Sequence, residues 1–143
     1  MKSKRTCALD LGKRRIGLAI DDELGLYAHP RGILAGGDIA AFLKALREFV
    51  VTENVGTIVV GLPLDMRGGE GDAARSARVM AQKIADATRC NVTLWDERLT
   101  TAEAMRSLQA SEVSGKKTRE RIDEAAAVAI LQSWLDRSRK SDD

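Results

Sequence analysis

An aspartate stands inside the first apolar segment of the chain. In RTCALDLGKRRIGLAI, residues 5–20, the first half is typical of a buried strand, yet it contains Asp10. An unpaired carboxylate in an apolar core is costly, so it usually neutralises, finds a partner or binds a metal ion. Three basic residues, Lys13, Arg14 and Arg15, crowd the turn that follows. The pattern therefore indicates a site in which the rest of the chain supplies partners for Asp10.

Asp123 is a second candidate, because it lies on the buried stripe of a predicted helix. The residues at helical spacing after it are all apolar: Ala126, Ala127, Ile130, Leu131, Trp134 and Leu135. A carboxylate near a helix N-terminus is also favoured by the helix dipole. That alternative does not explain the buried position, since Glu120 or Glu124 could serve from the solvent side.

A third acidic position follows the last predicted strand, in LWDERLT. Asp96 and Glu97 are neighbours, so as strand residues they would face opposite ways, and only one could lie beside Asp10. Spacing alone leaves both open. In sheets with parallel strands, ligands bind at the carboxyl ends of the strands, which is where these residues and Asp10 would meet.

Three carboxylates without His or Cys form a hard-oxygen site suited to Mg²⁺ or Mn²⁺. Two such ions about 4 Å apart can activate water and stabilise the leaving oxygen in phosphodiester cleavage. Basic neighbours would then bind the flanking phosphates of a nucleic acid. These candidates are Lys13, Arg14, Arg15, Arg98, Lys116, Lys117, Arg119 and Arg121. For Arg98, a salt bridge with a neighbouring acid is an equally good interpretation.

The elements that must position these residues follow the order βββ-α-β-α-β-α-α. Alternation and apolar runs predict strands over 6–11, 15–20, 26–34, 55–62 and 91–95. Helical spacing predicts helices over 39–50, 72–88, 100–110 and 119–136. Asp38, Asp72 and Thr100 are predicted N-caps, the last with Glu103 in a capping box. A meander followed by two βα units predicts an α/β fold with one mixed five-stranded sheet and helices on both faces.

Two loops in this arrangement carry basic or glycine-rich sequence. Residues 111–118 are interpreted as a polar, basic loop before the last helix. Residues 63–71 (PLDMRGGEG) are glycine-rich, and the part from 66 to 71 could close over a substrate or simply form a turn.

The composition favours one domain over residues 1–143. Hydrophobic residues make up 44% and charged residues 31%, and the formal net charge of +2 is too small by itself to indicate a nucleic-acid binder. No segment is typical of a signal peptide or a membrane span, so we expect a cytoplasmic protein. Cys7 and Cys90 are expected to be reduced thiols, and with a single His there is no zinc pattern.

Four segments together resemble the YqgF/RuvX family of Holliday-junction-resolvase-like proteins, within the RNase H-like nuclease superfamily. The segments are ALDLGKRRIGLAI, IVVGLPLDMRGGEG, DERLTTAEA and KKTRERIDEAAAVAILQSWL. Each is weak alone, but their order and spacing agree with the family over residues 8–135, essentially the whole chain.

The resemblance implies an RNase H-like fold with sheet order 3-2-1-4-5. It implies metal-dependent endonuclease activity, with Mg²⁺ or Mn²⁺, on the 5′ end of precursor 16S ribosomal RNA or on branched DNA. It also implies that the acidic triad falls on Asp10, Glu97 and Asp123. The basic positions of the family are matched only loosely, by 14–15 and by 116–117.

Two other functions are compatible with parts of the sequence. The chain could be an RNase H-like module that binds nucleic acid without cleaving it, since a fold does not determine a function. It could also handle ATP, because an Asp-x-Gly strand turn occurs in actin-like folds, but the chain is short for that and lacks a phosphate-binding loop. A resolvase that cuts two strands would require a homodimer, whereas end trimming would not.

Overall fold

Five strands form one mixed sheet. The structure is a computed structural model, and it describes residues 4–102, 104–105 and 115–141. The strands are β1 (Arg5–Leu11), β2 (Arg15–Asp21), β3 (Ala28–Ala35), β4 (Val55–Leu62) and β5 (Asn91–Asp96). They lie in the order β3-β2-β1-β4-β5, which confirms the predicted 3-2-1-4-5 topology. β1 is antiparallel to β2 and parallel to β4, so Asp10 comes at the carboxyl end of the central strand.

Helices cover both faces of this sheet, as predicted. They are α1 (Ile39–Glu53), α2 (Asp72–Thr88) and α3 (Lys116–Ser141), and a short 3-10 turn (Glu97–Leu99) follows β5. The side chains of Cys7, Leu9 and Ile58 pack in the core on the side of α1 and α2. No helix in the described part of the chain is both long and apolar enough to cross a membrane.

The opposite face of the sheet is built from small side chains and carries α3. Ala8, Ala19 and Val59 of the strands pack there against Ala126 and Ala127 of the helix. Small residues on both sides allow the helix backbone to approach the sheet closely. Asp10 shares this face, because it lies two residues after Ala8 in the same strand.

The last helix begins earlier than its sequence pattern predicts. The prediction placed 111–118 in a loop, but Lys116 to Thr118 are helical, and the Gly115 carbonyl accepts hydrogen bonds from the third and fourth residues after it. Lysine and arginine favour helices but give no apolar periodicity, so the pattern misses the first turn. Residues 111–114 lie outside the described residues.

Two smaller predictions need correction, and a third is confirmed. Leu26 and Tyr27 precede β3 instead of opening it, because the Asp22 carboxylate accepts a hydrogen bond from each of their N–H groups at 2.9 and 3.2 Å. The predicted cap Asp72 is the first residue of α2, and the N-cap is Gly71. Asp38 does cap α1, accepting from the N–H three residues later.

The helix predicted over 100–110 is described only in part. Residues 102, 104 and 105 are helical, and the Thr100 hydroxyl accepts from the N–H of Ala102 at 3.0 Å. Ala102 is the first helical residue, so Thr100 lies two positions before the helix. Glu103 and residues 106–110 lie outside the described residues.

Candidate active site

Asp10 lies between two glycines on neighbouring strands. Gly17 of β2 is its direct partner in the antiparallel pair. Gly61 of β4 holds the corresponding place on the other side, one residue beyond the parallel pair Leu9–Val60. Adjacent strands are about 4.8 Å apart, and residues opposite each other share a face. The Asp10 side chain, which is 4% exposed, therefore has no side-chain bulk beside it on either strand.

The space above Gly17 is occupied by Asp123 of α3. A methyl group built on Gly17 would lie 2.7 Å from the Asp123 carbonyl carbon and closer still to its oxygen. Only glycine allows the helix to approach the strand so closely. Asp123 is buried, at 8% exposure, and it lies seven residues after Lys116, so it is not in the first turn where the helix dipole alone would favour an acid.

The space above Gly61 is occupied by Glu97. A methyl group built on Gly61 would lie 2.6 Å from Oε1 of Glu97 and 2.7 Å from Cδ1 of Ile130. The Glu97 carboxylate thus lies on the same face of the sheet as Asp10, over the adjacent strand. Sequence spacing left Asp96 and Glu97 equivalent; the structure buries Glu97, at 2% exposure.

The 3-10 turn after β5 is what buries Glu97. The Asp96 carboxylate caps the turn by accepting from the N–H of Arg98 at 2.9 Å. Thr100 closes it, since its N–H and its hydroxyl both donate to the Glu97 carbonyl, at 2.9 and 2.8 Å. Because the chain leaves the strand in this turn, strand alternation no longer decides which way Glu97 points.

The Asp123 carboxylate is held by a basic residue from β2. Nε of Arg15 donates to Oδ2 of Asp123 at 2.7 Å, across 108 positions of the sequence. Next to this pair is a cleft of about 300 Å³. It is lined by Asp10, Leu11, Gly12, Lys13, Arg14, Arg15 and Asp123. The cleft thus brings two of the three acids together with the basic turn that follows Asp10.

The donor types in this region fit a hard divalent cation, because buried carboxylates are the ligands that Mg²⁺ and Mn²⁺ prefer. Within the described ranges of the chain, no three His, Cys, Asp or Glu side chains are grouped so that they could hold a metal ion. The acids are gathered on one face at one end of the sheet, but Asp123 is turned to Arg15.

The other basic candidates divide into two groups. Lys13 and Arg14 are exposed and line the cleft beside Asp10. Lys116, Lys117, Arg119 and Arg121 are exposed on the first two turns of α3. Arg121 lines a different, larger groove that also contains Pro30, Leu99 and Val128. The structure therefore does not bring Arg121 into the cleft.

Arg98 is engaged by its neighbour. It forms a two-pronged salt bridge with Asp96, with Nε–Oδ1 at 3.0 Å and Nη2–Oδ2 at 2.7 Å. This pairing holds the pKa of Asp96 below its ordinary value. Arg98 therefore helps to fix the turn that buries Glu97. The salt bridge with a neighbouring acid is the alternative that the sequence left open for this residue.

The glycine-rich loop beside Arg98 is braced. Leu64 and Glu70 form an isolated β-bridge, and the Asp65 carboxylate accepts from the N–H groups of Arg67 and Gly69 at 2.9 and 2.7 Å. Both oxygens of Glu70 also accept from the Arg78 guanidinium, at 2.6 and 2.8 Å. These contacts are those of a formed hairpin turn.

Sequence reasoning missed the two glycines that make room for the acids. Gly17 counted only as a small residue in an alternating strand, and Gly61 only as part of an apolar run. A glycine inside a strand often marks a place where another backbone or a ligand comes close. That signal was present on both strands that flank Asp10.

Comparisons with known proteins agree with this architecture. A protein of Anaeromyxobacter sp. (strain Fw109-5) named "Putative pre-16S rRNA nuclease" is 45% identical over 136 residues, 92% of this chain and 96% of that protein. A relative of the same name from Geobacillus kaustophilus (strain HTA426) is 45% identical over 139 residues, 94% and 99% of the two chains. RuvC of T. thermophilus, solved with a Holliday junction substrate, has a similar fold. Its TM-score is 0.58 at 12% identity, over 96% of this chain and 97% of that one.

The family model RuvX, described as Holliday junction resolvase, matches residues 4–137. That match contains all five strands, the two glycines beside Asp10 and the three buried acids. The RNase H-like fold expected from the sequence is confirmed by the structure and by its likeness to RuvC. On these grounds the chain belongs to the RuvX family.

Proposed function

We propose that this chain is a divalent-metal-dependent endonuclease that uses Asp10, Glu97 and Asp123 to cleave phosphodiester bonds in structured nucleic acid. The observation that carries the proposal is the arrangement of Asp10 between Gly17 and Gly61, with Asp123 over one glycine and Glu97 over the other. Three acids from distant parts of the sequence are thereby buried at one end of one sheet face. A structural role alone does not call for three buried carboxylates.

Asp10, Glu97 and Asp123 are the residues that would hold Mg²⁺ or Mn²⁺. When bound, such an ion stabilises negative charge at a reacting phosphate and lowers the pKa of water. The chain's own contribution is to orient the acids. Asp10 is fixed by the central strand, and Glu97 by the capped turn after β5. Their burial keeps bulk water from screening the charges.

The exposed basic residues supply substrate binding in this proposal. Lys13 and Arg14 stand beside the cleft, where they would contact phosphates that flank the scissile bond. Lys116, Lys117 and Arg119 extend the basic surface along the start of α3. Contacts with phosphates position a nucleic acid and strengthen binding without reading its sequence. Affinity should therefore fall steeply with salt concentration.

Precursor 16S rRNA is the substrate we propose to test first. The relatives that share 45% of their residues with this chain, over nearly their full length, carry names that specify a pre-16S rRNA nuclease. The family description specifies Holliday junctions, which makes branched DNA the second substrate. We propose that the protein acts on either substrate in the cytoplasm. Cleavage of two junction strands would further require a homodimer, which light scattering on the purified protein can detect.

The proposal is tested with a precursor 16S rRNA fragment and a synthetic four-way junction, each incubated with Mg²⁺, Mn²⁺ or EDTA. We expect cleavage of at least one substrate in the presence of metal and none in EDTA. Asp10→Asn should reduce the rate by more than about 100-fold, since loss of groups that only orient metal ligands already costs 10- to 100-fold.

Binding of both substrates without cleavage in any metal would contradict the proposal and indicate a non-catalytic nucleic-acid-binding module. Cleavage that persists in Asp10→Asn would show that the activity comes from other residues or from a contaminating nuclease.

A further inference from the structure

Arg15 of β2 forms an ion pair with Asp123, one of the three acids. We propose that Arg15 is a positioning residue whose guanidinium holds the Asp123 carboxylate in an ion pair that a divalent cation must displace, so that Arg15 sets the metal affinity of the site. The inference rests on the proposed function, because it concerns the loading of the same carboxylates.

The geometry of the pair is that of a strong contact. Nε of Arg15 and Oδ2 of Asp123 are 2.7 Å apart, and the two side chains are 30% and 11% exposed. A charge-assisted hydrogen bond of this length is stronger than one between neutral groups. Because the pair is partly buried, solvent and ions screen its attraction less than they screen a surface salt bridge. The bond therefore fixes the direction in which the Asp123 carboxylate points.

The backbone at Asp123 leaves little freedom for any other movement. Its carbonyl group lies directly on Gly17, and the residues after it, Ala126 and Ala127, are completely buried against the sheet. The carboxylate can therefore change partners only by rotating its side chain. Rotation away from Arg15 breaks the ion pair, so a cation that recruits Asp123 competes with the guanidinium.

Release of Arg15 would also change the cleft. Arg15 lines the cleft together with Lys13 and Arg14. Once released from Asp123, its guanidinium would be able to bind a phosphate there. A cation that is no longer paired with a carboxylate attracts a polyanion more strongly. Metal loading and phosphate binding would thus favour each other through Arg15, as linkage requires of two events that bias the same contact.

The test measures Mn²⁺ binding to the intact protein without substrate, by titration calorimetry and by the shift of the melting temperature. Arg15→Gln should lower the Kd for Mn²⁺ by about tenfold, which corresponds to loss of one competing charge-assisted hydrogen bond. The same variant should melt at a lower temperature than wild type in EDTA, because the ion pair between Arg15 and Asp123 is lost. When Mn²⁺ is added, the melting temperature of Arg15→Gln should rise by more than that of wild type. Arg15→Lys keeps the positive charge but lacks the planar guanidinium. Its Kd for Mn²⁺ should lie between those of wild type and Arg15→Gln.

Arg14→Gln is the matched control, because it removes the same charge from the same turn and the same cleft. We expect the Kd of Arg14→Gln for Mn²⁺ to differ from that of wild type by less than about twofold, because an exposed charge that does not contact Asp123 is largely screened. Equal changes in the two variants would overturn the inference, since net charge would then explain both. Unchanged or weaker Mn²⁺ binding in Arg15→Gln would overturn it as well.

Asp10→Asn separates this inference from the proposed function. If wild-type binding requires Asp10 but does not respond to Arg15→Gln, the inference fails and the metal site stands. If Mn²⁺ binding is the same in Asp10→Asn, the proposed site fails. If neither wild type nor Arg15→Gln binds Mn²⁺, both fail.

Discussion

Gly17→Ala tests the packing that brings Asp123 to the sheet. The added methyl carbon would lie 2.7 Å from the carbonyl carbon of Asp123, whereas non-bonded carbons are best separated by about 3.5–4.0 Å. The start of α3 would have to withdraw from β2 by roughly 1 Å. Overpacking of this kind destabilises a core by about 1–3 kcal/mol, and a displacement of about 1 Å can cost 100-fold in rate.

We therefore expect Gly17→Ala to lower the melting temperature by about 2–12 °C, at about 2–4 °C per kcal/mol for a chain of this size. Its cleavage rate should fall about 100-fold at a temperature where it is fully folded. The assays are thermal unfolding followed by circular dichroism, and cleavage of the substrate that wild type cuts.

Gly37→Ala is the control, because a methyl group on Gly37 meets no atom of the described residues within 4 Å. It should leave both stability and rate close to wild type. A Gly17→Ala variant with wild-type stability and rate would refute the argument that α3 rests directly on this glycine.

Three further predictions follow from other contacts. Gly61→Ala should push the Glu97 carboxylate away from the sheet and reduce the cleavage rate at least tenfold, because its methyl group would lie 2.6 Å from Oε1 of Glu97. An unchanged cleavage rate would contradict this prediction. Burial raises the pKa of Asp21, so the folded state binds a proton on this carboxylate more tightly than the unfolded state does. The free energy of unfolding should therefore fall as the pH rises from the ordinary aspartate pKa through the raised one. Asp21→Asn should remove this part of the pH dependence, measured by urea unfolding between about pH 3.5 and pH 7; an unchanged profile would contradict it. Cys7 is fully buried and its pKa is raised, so it should resist a thiol reagent until the protein unfolds. The partly exposed Cys90 should react in the native state. Modification of both thiols in the folded protein would contradict this prediction.

The topology of the sheet was predictable because its signals are local. Alternation marks β2, a continuous apolar run marks β4, and helical crossovers require the parallel pairing of β1, β4 and β5. The buried position of Asp123 was predictable for the same reason, since the apolar stripe after it defines the inner face of α3. Neither inference needs any knowledge of distant contacts.

The arrangement within the site depends on contacts that no local pattern contains. The choice of Glu97 over Asp96 is made by a capped 3-10 turn, which ends strand alternation at that point. Arg15 has the charge of a phosphate-binding residue, but its partner lies 108 positions away. The role of Gly17 and Gly61 depends on Asp123 and Glu97, which occupy the space beside them and come from distant parts of the sequence.

Diffraction from crystals grown with Mn²⁺, at a wavelength where manganese scatters anomalously, tests the central claim most directly. We predict an anomalous peak at the carboxyl end of β1, within about 2.2 Å of a carboxylate oxygen of Asp10, with Glu97 and Asp123 as further ligands and Asp123 turned away from Arg15. A manganese peak bound elsewhere, or one that leaves the Asp123–Arg15 pair intact and contacts none of the three acids, would contradict it.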